Sequence, residues 1–187
     1  ALRRDLPSEL PSPRRPRNGA LRLVYQGSLA INNGHYDLRN LFAAISATKV
    51  KLDVYPNQSV PDYRGTGIRL RRKLPPASLL AALVDYDFGW AGFNAALNGA
   101  HLDTALPNKA YEYLGCGLPV VALRHRALAR LLEENGIGIV LEGVDGLAEQ
   151  LDALDLVALR RRVAAVRFDL TAEAHVGRVI ALYESLV

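Results

Sequence analysis

The stretch Leu106-Pro107-Asn108-Lys109-Ala110-Tyr111-Glu112-Tyr113-Leu114-Gly115-Cys116-Gly117-Leu118-Pro119-Val120-Val121 has residue types and spacing that can do chemistry. Pro107 near the first helical position opens a helix whose leading N–H groups have no partner inside it. Those groups and the helix dipole favour an anion. Lys109 adds a positive charge in the same turn, where a cation is unfavourable for an isolated helix, and an anionic ligand would resolve that conflict. Glu112 stands three residues after Lys109 and four after Asn108, so the three project toward one face. Its carboxylate can accept hydrogen bonds from a pair of vicinal hydroxyls. Leu106, Ala110, Tyr113 and Leu114 are expected to pack on a sheet, and Gly115 and Gly117 permit a tight exit into the next strand. The plainer alternative is a surface helix with a solvated Lys–Glu pair.

Other groups carry weaker signals. Asp85-Tyr86-Asp87 has the spacing of a metal-binding acidic pair but falls at the entrance of a strand. The histidines at 35, 101, 125 and 175 lack metal-ligand spacing, although the first three fall in or beside loops at the opposite, ligand-facing end. Gly65-Thr66-Gly67, Gly115-Cys116-Gly117 and Gly136-Ile137-Gly138 do not combine strand, third glycine and helix as a dinucleotide fingerprint requires. Cys116 reads as a small buried thiol. Trp90 and Phe93 flank a long loop and read as core or as stacking groups. Arg69, Arg71, Arg72 and Lys73 suit an edge strand with solvated charges.

The elements that must hold these groups alternate. A strand over 21–26 ends at Gly27. After a polar loop, Asp37 is expected to cap a helix with Leu38, Leu41, Phe42 and Ile45 on one stripe. A second strand spans 50–54 and residues 57–67 are turn-rich. A weak third strand covers 68–71, and Pro75-Pro76 opens a helix. A fourth strand spans 86–90, followed by a long loop over 91–105. The continuous apolar run 119–123 suits a central strand covered on both faces. A helix over 125–134 stops at Asn135-Gly136, a sixth strand covers 137–141, and helical patterns fill most of 143–165 and 171–186. This order predicts an α/β fold: a Rossmann-like three-layer sandwich on a mostly parallel sheet of about six strands. Ligands of such sheets bind at the carboxyl ends of the strands. Loops 27–37, 91–108 and 123–126 are therefore the expected site.

Composition bounds the partners. Of the formal charge of +4, residues 1–17 carry +3, from five arginines against Asp5 and Glu9. The body is nearly neutral, which gives no basis for a nucleic-acid partner beyond the basic tail. Residues 1–19, rich in proline and arginine, read as a solvated interdomain linker, and the chain reads as a fragment cut there. The tail could also touch an anionic membrane. With a single cysteine the chain cannot form an internal disulfide, which fits a reducing compartment.

The 106–121 stretch resembles the donor-binding motif of glycosyltransferases of the GT-B fold, particularly retaining enzymes that use nucleotide-diphospho-sugars. The pattern P-x-K-x-x-E-Y-x-x-x-G-x-P-V-V is matched by Pro107, Lys109, Glu112, Tyr113, Gly117, Pro119, Val120 and Val121. Tyr25-Gln26-Gly27-Ser28 is similar to that family's first strand end and glycine loop, and the order of elements agrees over residues 20–187. The resemblance implies that Glu112 binds the ribose and that Lys109, with Asn108 and the helix N–H groups, holds the diphosphate. It further implies that Gly27 and Ser28 admit the phosphate or sugar and that the base rests near 72–74. Lys109 and Glu112 are the implied catalytic pair. The implied partners are a nucleotide-sugar donor and a sugar or lipid-linked acceptor bound through a missing N-terminal domain, as in polysaccharide or glycolipid synthesis. No separate cofactor and no metal are implied. The implied setting is cytoplasmic, with peripheral contact at the inner face of a membrane. The chain departs from the pattern at Thr104, where many members carry a glutamate, and in the loop 28–34, which lacks their basic pair; either Lys109 acts alone, or Arg124 or Arg126 substitutes for the pair. A nucleotide-sugar epimerase of the same fold and a degenerate, non-catalytic α/β module remain open alternatives.

Overall fold

The computed structural model describes residues 1–12, 20–58, 63 and 66–186. The expected linker residues 13–19 and part of the turn-rich segment, Gly65 included, lie outside the described residues. Six strands form one sheet: β1 (Arg22–Gly27), β2 (Lys51–Pro56), β3 (Arg69–Leu70), β4 (Phe88–Trp90), β5 (Val120–Leu123) and β6 (Gly138–Leu141). Their order is β3-β2-β1-β4-β5-β6 and every pairing is parallel. The direction of strand succession reverses between β1 and β4, which opens a crevice beyond their carboxyl ends.

The helices between the strands are α1 (Arg39–Ser46), α2 (Pro76–Leu83), α3 (Gly99–Leu102), α4 (Asn108–Gly115), α5 (Arg126–Asn135), α6 (Leu147–Asp152), α7 (Leu156–Val166) and α8 (Ala172–Glu184). Strand side chains alternate between two apolar layers, as a sheet covered on both faces requires. Leu23 and Tyr25 face the layer of Phe42, Ile45 and Leu151, whereas Val24 faces that of Leu83, Tyr113, Leu114 and Leu132. Helix α4 lies so close on β4 that a Cβ on Gly89 would overlap the ring of Tyr113. Gly136, in the left-handed region at φ 60, terminates α5 where the Asn-Gly pair predicted it.

Some boundaries differ from the sequence reading. Asp37 does not cap α1: the residue before the helix is Leu38, and Asp37 accepts from the Asn33 N–H and pairs with Arg39 instead. The loop after β4 contains the short α3, and the helical stretch after β6 is split into α6 and α7. Residues 1–12 are not solvated throughout. Leu6 is buried, a single 3-10 turn spans Arg3–Asp5, and the Arg167 guanidinium donates to the carbonyls of Pro7 and Ser8. None of the described helices is long and apolar enough to cross a membrane.

Candidate donor site at the switch point

Three pieces of chain converge beyond β1 and β4: the β1 end with its loop to α1, the β4–α3 loop, and the start of α4. Pro107 precedes α4 in extended conformation and supplies no capping side chain, so that first turn is open to an anion. Asn108 is exposed, Lys109 buried and Glu112 half-buried.

The position of Lys109 departs from the expected polar face. Its side chain turns inward, and its Nζ lies 4.0 Å from the ring centre of Tyr25, 4.8 Å from that of Phe93 and 5.6 Å from that of Tyr36. The residue is only 8% exposed, and Nζ has no hydrogen-bond partner among the described residues. Leu106, expected in the core, is exposed in its place. Burial pulls the Lys109 ammonium down to about 7, with Glu112 opposing the shift. Cation–π attraction offsets part of the desolvation, but a ring face cannot replace the hydrogen bonds an ammonium makes in water.

The solvated Lys–Glu pair does not form. Glu112 instead accepts a hydrogen bond from the Gln26 side chain, and the Gln26 N–H donates to the Tyr113 hydroxyl at 2.9 Å. These two bonds tie the end of β1 to α4. Burial raises the Glu112 carboxyl above its ordinary range, while the Gln26 hydrogen bond opposes this. Gly27 stands at φ 131, and a Cβ there would lie 3.4 Å from Lys109 Nζ. The glycine is thus required by its backbone conformation, and a Cβ there would be in ordinary contact with the lysine. Ser28 is held by its neighbours: its carbonyl accepts from the Tyr25 hydroxyl at 2.5 Å, and its Oγ accepts from Asn57 Nδ2 at 2.9 Å.

A cavity of about 800 Å³ opens on this edge, lined by Gln26, Gly27, Asn57, Lys73 and Glu112 among others. It reaches Lys73-Leu74-Pro75-Pro76, overlapping the region where the resemblance put the base, and Ala1, Leu2, Arg4 and Asp5 form part of its wall.

Other sequence candidates sort clearly. Arg124 is engaged by Glu133 and Glu142, and Arg126 lines a separate shallow hollow with Asp103, so neither joins Lys109. Asp87 accepts the Arg22 N–H at the amino end of β4, and Asp53 gathers Arg22, Arg69, Arg71 and the Tyr86 hydroxyl in a structural cluster. Among the described residues no three of His, Cys, Asp and Glu converge as metal ligands. The ring centres of His35 and His101 are 6.4 Å apart, and Asn98 Nδ2 lies 3.3 Å from His35 Nδ1. Sequence reasoning missed Tyr25, Tyr36 and Gln26 as site residues. Tyr25 and Gln26 stood in the stretch that resembles the family's first strand end but were given no role, and Tyr36 was marked only by its place in the loop after β1.

A parallel sheet of this strand order, with a glycine at the end of β1 and a Lys–Glu helix start at the reversal point, is a Rossmann-like α/β fold with a candidate anion site at its switch point. Residues 27–181 match the family model described as "Glucosyltransferase 3-like, C-terminal domain", and the chain belongs to that family. It is thus the donor-binding domain of a glycosyltransferase. No curated protein matches it in sequence. Among solved structures it is similar to an O-GlcNAc transferase variant of Thermobaculum terrenum (TM-score 0.62, 19% identity, 96% of this chain and 38% of that one). It is also similar to WaaG, a glycosyltransferase involved in lipopolysaccharide biosynthesis (TM-score 0.54, 14% identity, 79% and 42%). A third is the pneumococcal O-GlcNAc transferase GtfA, solved in complex with UDP and GlcNAc (TM-score 0.52, 14% identity, 87% and 35%). At these identities the likeness is one of fold, and the chain spans well under half the length of each.

Proposed function

We propose that this domain holds the nucleoside-diphosphate part of a nucleotide-sugar across the β1–β4 crevice. Glu112 accepts the ribose hydroxyls, and Lys109 with the first-turn N–H groups of α4 takes the diphosphate. Gly27 and Ser28 let the chain approach it, and the base lies in the cavity against Lys73 to Pro76. Catalysis is stabilisation of the departing diphosphate by fixed donors in a largely dry site. The single observation that carries this reading is the buried Lys109 ammonium, with no hydrogen-bond partner among the described residues, set one helical turn from a half-buried carboxylate beside a positive-φ glycine. Such an arrangement costs the apo fold stability, and a bound anion would offset that cost. The sugar acceptor and any general base belong to a further domain. The short coverage of the longer relatives supports this, and so does a site confined to one edge of the sheet. Peripheral contact with a membrane through the basic arginines is part of the same reading.

Calorimetric titration with UDP, GDP and ADP tests it, with UDP first because GtfA is solved with UDP. One nucleotide is expected to bind, and Glu112→Ala is expected to weaken it about ten- to a hundredfold, the worth of hydrogen bonds to a charged group. Absence of binding at millimolar nucleotide would count against the reading.

A further inference from the structure

The phosphate end of the crevice holds two histidines that the donor reading does not use. We infer that His35 and His101 are a second element of the diphosphate site, their imidazoles donating to the anion's oxygens. This inference rests on the donor reading for the nature of its ligand.

The geometry brings them there from separate loops. His35, in the β1–α1 loop, packs on Tyr36 at 4.1 Å between ring centres and meets Phe93 edge-on at 6.2 Å. Tyr36 and Phe93 are two of the three rings around Lys109 Nζ. One aromatic partition therefore has the lysine on one contact and an imidazole on another. The His35 carbonyl accepts from the Asn94 N–H at 3.2 Å, which fastens the two loops together. His101, on α3, stands beside His35 and is exposed, so a ligand can reach it.

The His35 Nδ1 lies 3.3 Å from the Asn98 side-chain amide, which can donate to it when it is unprotonated. Burial, the adjacent His101 and Lys109 all push the His35 imidazolium below its usual range. Asn98 can serve either state, since rotating the amide presents its oxygen to a protonated Nδ1. The charged or titratable groups around the pair are Lys109 and Glu112 on α4, Tyr25 on β1, Tyr36 and Asp37 in the β1–α1 loop, and Asp103 after α3. Asp37 is engaged by Arg39, and Asp103 lies 3.9 Å from His125. Glu112 is bound by Gln26. No carboxylate among the described residues is thus paired with either imidazole, which leaves both able to meet an anionic ligand. An anion carrying two or three negative charges raises the proton affinity of His35 and Lys109.

The test is calorimetric titration of the full chain with UDP and with inorganic pyrophosphate at pH 6 and pH 8. It uses two buffers of different ionisation heat, which report the protons taken up. The wild type is compared with H35Q, H101Q, the double variant and E112A, each checked for an unchanged far-UV spectrum and melting temperature. Wild type is expected to take up protons on binding and to bind more tightly at pH 6. The double variant is expected to lose about tenfold in affinity for both ligands at pH 6, the worth of a charge-assisted hydrogen bond, and to lose part of the proton uptake. If the double variant binds UDP and takes up protons as the wild type does, while E112A loses UDP, this inference fails and the donor reading stands. Pyrophosphate binding that depends on the histidines, without binding of any nucleoside diphosphate, supports the anion site and overturns the donor reading. Binding of neither ligand overturns both.

Discussion

An ammonium enclosed by three aromatic rings without one hydrogen bond among the described residues is a poor choice for stability, and Lys109 shows the sign of the cost. In the folded state it loses its proton at about 7, against its ordinary 10.5 in the unfolded chain. Between those values the unfolded chain binds more protons, so stability rises with pH across this window. The cost is full below about pH 7 and absent above about 10.5. Lys109→Met keeps the apolar stem and removes the charge. It is expected to raise the melting temperature at pH 6 by about 3 °C or more, corresponding to ~1 kcal/mol in a domain of this size, and by much less at pH 10. The same variant should lose nucleoside-diphosphate binding. Thermal melts across pH with a parallel titration check both halves. A variant destabilised equally at both pH values would mean that the lysine is a structural plug. A gain in stability coupled to a loss of ligand is the trade expected of a group kept for function.

At the scale of elements, α4 is held at three levels: by Tyr113 over Gly89, by Gln26 to Glu112, and by Arg167 at its carboxyl end. The Arg167 guanidinium is buried and donates to the carbonyls of Gly115, Pro7 and Ser8 at 2.9, 2.7 and 3.0 Å. It therefore ties the end of α4 to the segment 1–12, part of which walls the cavity. Arg167→Met would leave those carbonyls unpaired, at a cost of about 1–3 kcal/mol. It is expected to expose residues 1–12 to proteolysis while α4 stays protected. Limited proteolysis read by mass spectrometry checks this, and an unchanged cleavage pattern would count against the clamp. The strand–helix alternation and the placement of Lys109 and Glu112 at a helix start beyond the strands' carboxyl ends were legible in the sequence, because periodicity and the Pro107 helix start are local signals; the strand order that makes this a reversal point was not. The inward turn of Lys109 was not, because it depends on Tyr36 and Phe93 in loops without period. The docking of residues 1–12 was equally hidden: a Pro- and Arg-rich stretch looks solvated until a single buried arginine on α7's far end gathers its carbonyls.

The molecule as a whole has a closed core and an open end. Both faces of the sheet are covered by α1, α2 and α4 to α7, yet none of the residues of α8 is buried. Val176, Val179, Ile180 and Tyr183 follow the i, i+3, i+4, i+7 spacing of one apolar stripe, and all four are more than half exposed. A stripe that buries nothing contributes little hydrophobic stabilisation, which scales with the apolar area removed from water. Among the described residues, the hydrogen bonds that fasten α8 to the rest of the chain lie near its start. There the Ala172 N–H donates to the Ala1 carbonyl at 3.2 Å and Glu173 accepts the Arg3 N–H at 2.9 Å. Removing residues 172–187 is therefore expected to leave the sheet folded. The loss should stay within ~1 kcal/mol, a shift in melting temperature of about 2–4 °C. Nucleotide affinity should fall only modestly, because Gly27, Lys109 and Glu112 make none of the contacts removed, whereas Ala1 and Arg3, beside the cavity wall, lose one hydrogen-bonding partner each. Melting and titration of the truncated chain measure both quantities. Cooperative unfolding lost on truncation would mean that α8 stabilises the core through contacts made only in solution, whereas a retained melt with retained binding places the donor site entirely within residues 1–171.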